Sequence, residues 1–155
     1  MLNRIVFVIV FSLLSSLCLA SSNAINSLQE GDKLYADGNI KDALGYFEKA
    51  VQENPDSSES WFKLARTQML NNRYSDSVKS YQKTISIDQN NALAFVGMAI
   101  SYMHMGLYNH AKASFNEASR IDPSKKAEVG KVMQKIEKKL KSMETATAKS
   151  SYMAH

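Results

Sequence analysis

The sequence predicts an all-α fold: three helix-turn-helix units stacked in line and closed by one more helix. Three observations predict it. Residue types recur at intervals of 34 positions, turn-forming residues sit between helix-length segments at the same interval, and an apolar stripe at three- and four-residue steps follows the third unit. Gly31, Ala65 and Ala99 make one column of the repeat; Ala43, Ser77 and Ala111 a second; Phe47, Tyr81 and Phe115 a third; Ala50, Thr84 and Ala118 a fourth. Pro55, Gln89 and Pro123, then Ile40, Tyr74 and Tyr108, then Gly38, Asn72 and Gly106 complete seven columns without a gap.

Each column has a physical use. Ala43 and Ala50 lie two helical turns apart and share a face, with Phe47 between them. Small residues let two helices cross closely, and the aromatic residue fills the space beside the crossing. Ser77, Tyr81 and Thr84 repeat the arrangement, as do Ala111, Phe115 and Ala118. Turn signals at Asp37-Gly38-Asn39, Asn71-Asn72 and Gly106 split each unit into two helices. Asn54-Pro55-Asp56, Asp88-Gln89-Asn90-Asn91 and Asp122-Pro123-Ser124 separate the units, and Ser57, Asn91 and Ser124 are suited to cap the helices that follow. Helices are therefore expected over 25–37, 41–53, 58–70, 75–87, 92–104 and 109–121. A seventh is expected over 125–143, where Val129, Val132, Met133, Ile136, Leu140 and Met143 form the stripe and lysines cover the other side. Beyond Glu144 the periodicity is lost, and 144–155 is expected to be a disordered tail.

The period and the residue types resemble the tetratricopeptide repeat, a Trp-Leu-Gly-Tyr helix followed by an Ala-Phe-Ala-Pro helix. The second unit supplies Trp61, Leu64 and Ala65; the third supplies Phe95, Met98, Ala99 and Tyr102, then Ala111, Phe115, Ala118 and Pro123. The first supplies Gly31 and Leu34, then Ala43, Phe47, Ala50 and Pro55. Ser27 and Glu30 depart from the pattern in the first unit, as do Gln68, Ser77, Thr84 and Gln89 in the second, but none shifts the spacing. The resemblance implies three repeats over 24–57, 58–91 and 92–125, a capping helix over 125–143, and a short right-handed superhelix.

The N-terminus reads differently. A basic start, Met1 to Arg4, precedes the apolar run Ile5 to Leu19 and the small residues Ala20, Ser21 and Ser22, the layout of a secretory signal peptide. Cleavage is expected after Ala20 with Ala24 as the second option, so residues 1–20 form the signal and the mature protein is periplasmic or secreted. Retention of the segment would instead leave a membrane anchor, although the run is short of the roughly 20 residues that cross a bilayer comfortably. Cys18 is the one cysteine, so the mature chain has neither disulfide nor thiol chemistry. The net charge of +4 is concentrated at the end, where eight lysines stand against three glutamates from Lys125 onward.

No catalytic constellation is visible, and the chain is not expected to be an enzyme. His104, His110 and His155 are singletons, and neither a glycine-rich phosphate loop nor a nucleophile with a nearby base occurs, so no cofactor or metal is expected. The resemblance puts function on the row formed by the first helix of each repeat, the concave side of such folds. In that register the partner-binding groove is Leu28, Asp32 and Tyr35, then Phe62, Arg66 and Met69, then Leu93, Val96, Ile100 and Met103. This lining is apolar for its position, and an exposed apolar stripe marks a binding surface.

One activity of the family can be tested by residue. The two-carboxylate clamp that grips chaperone C-termini needs Lys and Asn where this chain has Leu28 and Asp32, Asn where it has Lys63, and Lys and Arg where it has Leu93 and Gly97. None of the five matches. The expected partner is instead a protein or peptide segment, amphipathic or apolar, laid along the groove. Asp32 and Arg66 would set its direction. Nucleic acid is not expected as a partner, and weak contact with an anionic membrane through the basic last helix is left open. The function read from the sequence is thus an exported adaptor for protein–protein contacts, with envelope complex assembly as the setting that family analogy suggests. The alternative is a structural scaffold that associates with itself into homo-oligomers.

Overall fold

The structure, a computed structural model, describes residues 26–153, with side chains to residue 146. The signal-peptide assignment falls on residues 1–20 and lies outside the described residues. Seven α-helices and one short 3-10 turn follow one another, with no strand among the described residues. They are α1 (26–36), α2 (Ile40–Glu53), α3 (Ser58–Leu70), α4 (Tyr74–Ile87), α5 (Ala92–His104), α6 (Tyr108–Ile121), the 3-10 turn Pro123–Lys125 and α7 (Lys126–Met153). Helices α2 to α7 each pack on the next in chain order, and α3 also touches α5. This is the expected all-α solenoid of helix pairs, and each of the first six helices lies within a residue of its predicted bounds.

The repeat columns are the core. Ala43, Ala50, Ala65, Ser77, Thr84, Ala99, Ala111 and Ala118 have no exposed surface, and Phe47, Tyr81 and Phe115 are buried beside them. Burying one such ring contributes roughly 1.5–3 kcal/mol, and the interlock repeats in every unit. The approach in the first pair is close enough to need glycine: a Cβ at Gly31 would stand 2.6 Å from Cε1 of Phe47. Gly97 shows the same constraint between units. A Cβ there would overlap the ring and hydroxyl of Tyr81 on α4, so α5 can lie against that ring only without a side chain at this position.

The column Gly38, Asn72, Gly106 sets the turn inside each unit. All three residues take positive φ, 79°, 59° and 73°, the left-handed conformation that glycine adopts freely and asparagine tolerates. The amides of Asn39, Arg73 and Leu107 then donate back to the carbonyls of Leu34, Gln68 and Tyr102 at 2.8, 2.8 and 2.9 Å. This Schellman closure ends α1, α3 and α5 alike. Ser57 caps α3 by accepting from the amide of Ser60, and Asn91 caps α5 by accepting from Ala94. Ser124 does not act as a cap. Asp122 accepts from its amide and hydroxyl instead, at 3.0 and 2.6 Å, because the chain enters α7 through the 3-10 turn.

Polar residues in apolar columns are all partnered. Thr84 donates to the carbonyl of Ser80 at 3.0 Å, Ser80 donates to Oε1 of Gln68 at 2.7 Å, and the hydroxyls of Ser77 and Ser101 lie 3.0 Å apart. Among the described residues no buried side-chain polar atom lacks a hydrogen bond. Ser27, which departs from the repeat pattern, is buried and donates to Oε2 of Glu53 at 2.7 Å.

The expected end of α7 at residue 143 is corrected. The helix continues to Met153, through much of the segment read as a disordered tail. No glycine or proline interrupts residues 131–153, and once a helix is nucleated each further residue adds a hydrogen bond at little cost. Val129 and Ile136 are buried against Ala99, Ala111 and Phe115, with Val132, Met133 and Leu140 packed at the edge.

Alanine at three glycines separates these effects, read by thermal or denaturant unfolding. Gly97→Ala is expected to cost about 1–3 kcal/mol by overpacking, with Tyr81→Phe in the same chain restoring part of it. Gly106→Ala meets no atom and is expected to cost about 1–2 kcal/mol through its backbone alone. Gly45→Ala, inside α2 and also without neighbours, is expected to stabilise by about 1 kcal/mol. Equal effects at all three positions would contradict the packing and turn roles described.

Candidate partner-binding groove

Helices α1, α3 and α5 carry the ten residues predicted to line the groove. They are tied side by side by contacts between residues a repeat apart. Lys63 on α3 holds the carboxylate of Asp32 on α1, and Arg66 donates from Nη2 to the hydroxyl of Tyr35 at 3.2 Å. Lys63 also meets Oε1 of Glu59 at 3.0 Å, so two carboxylates share one ammonium. Burial works against the charged form of Lys63, but its hydrogen bonds to Asp32 and Glu59 outweigh burial and lift its pKa above the ordinary lysine value.

The Arg66 guanidinium lies over two rings, 5.4 Å from the centre of Tyr35 and 5.8 Å from that of Phe62. Phe62 in turn meets Tyr81 edge to face, with centroids 5.9 Å apart. Burial pushes the Tyr81 phenol well above the ordinary tyrosine value, with the nearby Arg66 charge pulling the other way, so this ring stays neutral. Asp32, Tyr35, Phe47, Lys63 and Arg66 together line a small hollow of about 120 Å³. This end of the row is aromatic and ion-paired rather than oily. Lys63 reaches across from its neighbouring repeat and neutralises Asp32, so the charged positions of the row lie at this end.

The other end is apolar. Val96, Ile100 and Met103 of α5, Tyr108 and Phe115 of α6, and Val129 and Val132 of α7 line a cleft of about 340 Å³, with His104 and Glu128 at its margin. Val96, Ile100 and Met103 are half-buried by packing against the α6–α7 cluster, and their remaining surface faces the cleft. Leu93, one turn earlier on α5, is 52% exposed, and Leu70 at the end of α3 is 50% exposed. Leu28 and Tyr35 pack at the edge of the first core cluster, and Met69 is half-buried. His104 stacks flat on Tyr74, with centroids 4.5 Å and planes 1° apart, which braces the cleft margin against the preceding repeat.

Sequence reasoning missed the second wall of the cleft. Phe115 was legible only as a core column, and Val129 and Val132 only as a capping stripe. Their shared frontage with Ile100 and Val96 follows from how α7 docks beside α5 and α6. The five clamp positions are unsuited to gripping a free carboxylate in three dimensions also. Asp32 and Lys63 occupy each other, Leu93 is apolar, and Gly97 lies under Tyr81.

Comparison with known proteins agrees with the fold. Two tetratricopeptide repeat profiles match, over residues 34–82 and 93–125, together more than half of the chain. The peroxisomal targeting signal receptor of Komagataella phaffii is 37% identical over 68 residues, 44% of this chain, and the superkiller complex protein 3 of Mus musculus is 33% identical over 76 residues, 49% of this chain. The match spans only 12% and 5% of the length of these relatives, both eukaryotic. Among solved structures, the first such domain of Spaghetti bound to an HSP90 peptide superposes with a TM-score of 0.73 at 14% identity, covering 77% of this chain and 94% of that one. PcrH in complex with the chaperone binding region of PopD superposes at 0.71 with 15% identity, covering 77% and 94%. At these identities the structural likeness speaks to the fold, and the matched profiles and the columns of small and aromatic residues speak to lineage: the chain belongs to the tetratricopeptide repeat family.

Proposed function

We propose that this chain is an adaptor that holds an amphipathic or apolar protein segment along the α1–α3–α5 row. The carrying observation is the 340 Å³ cleft, open to solvent and walled by apolar side chains from three helices. The solved structures that resemble it include domains bound to an HSP90 peptide and to a region of PopD, and relatives by sequence are named targeting signal receptors, which supports segment binding as the mode. The mismatched clamp positions argue that the segment is held along its side chains rather than by a terminal carboxylate. We place the adaptor outside the cytoplasm, periplasmic or secreted, on the sequence of residues 1–20, with assembly of an envelope complex as its setting; retention of that segment would tether it to the membrane.

Two further readings have an observation each. Exposed Leu70 and Leu93 would serve a self-associating scaffold. Lys131, Lys135 and Lys138 are exposed on one side of α7 without a carboxylate within ion-pair distance among the described residues, which suits a weak contact with anionic lipid.

The groove reading is tested with Phe62→Asp/Ile100→Asp against an array of amphipathic peptides. Binding seen with the parent chain is expected to disappear while circular dichroism keeps its helical signal; retained binding would move the site elsewhere. Light scattering over a concentration series separates adaptor from scaffold: a constant monomer mass supports the adaptor, and growth with concentration supports the scaffold.

A further inference from the structure

The adaptor reading leaves open what kind of segment fits, and the two ends of the row constrain it differently. The cleft between α5, α6 and α7 measures about 340 Å³, more than twice the roughly 150 Å³ that accepts a benzene ring in a protein interior. Of its lining rings Phe115 is almost wholly buried, so Tyr108 and the face of His104 not stacked on Tyr74 are the ones an entering ring can meet. Met103 on the same wall adjusts its shape. Val96, Ile100, Val129 and Val132 offer no hydrogen bond and suit an apolar group, with the polar atoms of His104, Tyr108 and Glu128 elsewhere on the same lining.

At the other end Arg66 is exposed and has no carboxylate within ion-pair distance among the described residues. Its one side-chain hydrogen bond goes to the Tyr35 hydroxyl, which leaves most of its five donors unused. The neighbouring ion pairs form without it. Asp32 and Glu59 are both engaged by Lys63, a set with one negative charge in excess, and Arg66 brings the total to zero. The guanidinium lies over Tyr35 and Phe62, which limits its movement, and its fork of N–H groups suits a carboxylate.

Resting on the adaptor reading, we infer that the groove selects a segment bearing one bulky aromatic side chain, seated in the α5–α6–α7 cleft, and one acidic side chain paired with Arg66. Adjacent helices pack about 8–10 Å apart, so a point on α3 and a cleft beside α5 are separated by roughly 10–15 Å, three or four residues of extended chain at about 3.3 Å each.

The test uses fluorescent twelve-residue peptides of neutral polar background carrying one Phe and one Glu, with their separation varied from one to seven residues and read by polarisation against the full chain. Affinity is expected to peak at a separation of three or four. Replacing Phe by Ala or Glu by Gln in the best peptide is expected to weaken it by about tenfold or more. Arg66→Gln should erase the difference between Glu and Gln peptides while keeping that between Phe and Ala. Val132→Trp, which fills the cleft, should do the reverse. Ile100→Ala, which enlarges the cleft and keeps the fold, should shift preference from Phe to Trp. Affinities indifferent to Arg66→Gln and to the peptide's ring overturn the inference. If Phe62→Asp/Ile100→Asp still abolishes that indifferent binding, the adaptor reading survives and only the selectivity falls. No binding by any peptide of the series, or a dimer of the chain dissolved by Val132→Trp, also overturns it.

Discussion

The close crossing of the two helices in each repeat is the constraint on which the rest depends. Helices that cross over Ala43, Ala50, Ala65, Ala99, Ala111 and Ala118 have only methyl groups to hold them apart, so Phe47, Tyr81 and Phe115 can occupy the space beside the crossing. The first helices of the repeats then stand as a row, and their outward positions become a surface. A larger residue in one of these columns would push a ring out of place and tilt every later helix. That is why the columns tolerate Ser77 and Thr84, which are small, and why the second repeat meets their polarity with hydrogen bonds rather than with a different geometry.

The middle repeat shows how such a core accepts polar atoms. Thr84 and Ser80 donate within the repeat's own two helices, Ser77 meets Ser101 of the next repeat, and Gln68 receives Ser80 where an apolar contact would otherwise stand. A buried network of this kind is stable only when every member is satisfied, and here every member is. The larger hydroxyl-bearing ring of Tyr81 is accommodated by the absence of a side chain at Gly97 on the next unit. The second and third repeats are therefore matched to one another at this contact and are not interchangeable units.

The last helix has two uses. Its apolar stripe covers the exposed side of the third repeat, as a solenoid end requires, and the same residues complete the cleft with Val96 and Ile100. The site thus depends on the cap. The row is also graded, from ion-paired and aromatic at α1 and α3 to apolar at α5, so its two ends present different chemistry to a bound segment.

The fold was legible in the sequence to within a residue at most helix ends, because helix formation, the left-handed turn at Gly38, Asn72 and Gly106, and the capping by Ser57 and Asn91 are local events written in neighbouring residues. Local reasoning failed at the entry to α7, where Asp122 rather than Ser124 caps the turn, and at its far end, where the loss of apolar periodicity did not stop a segment free of glycine and proline from staying helical. A repeat of constant length places equivalent residues, such as Asp32, Arg66 and Ile100, on one face. What only the tertiary structure decided is who meets whom across that face. Lys63 neutralises Asp32, Arg66 lies over Tyr35, and Val132 faces Ile100. These pairings join residues about a repeat apart, and they depend on distances between helix axes that periodicity along one chain does not specify.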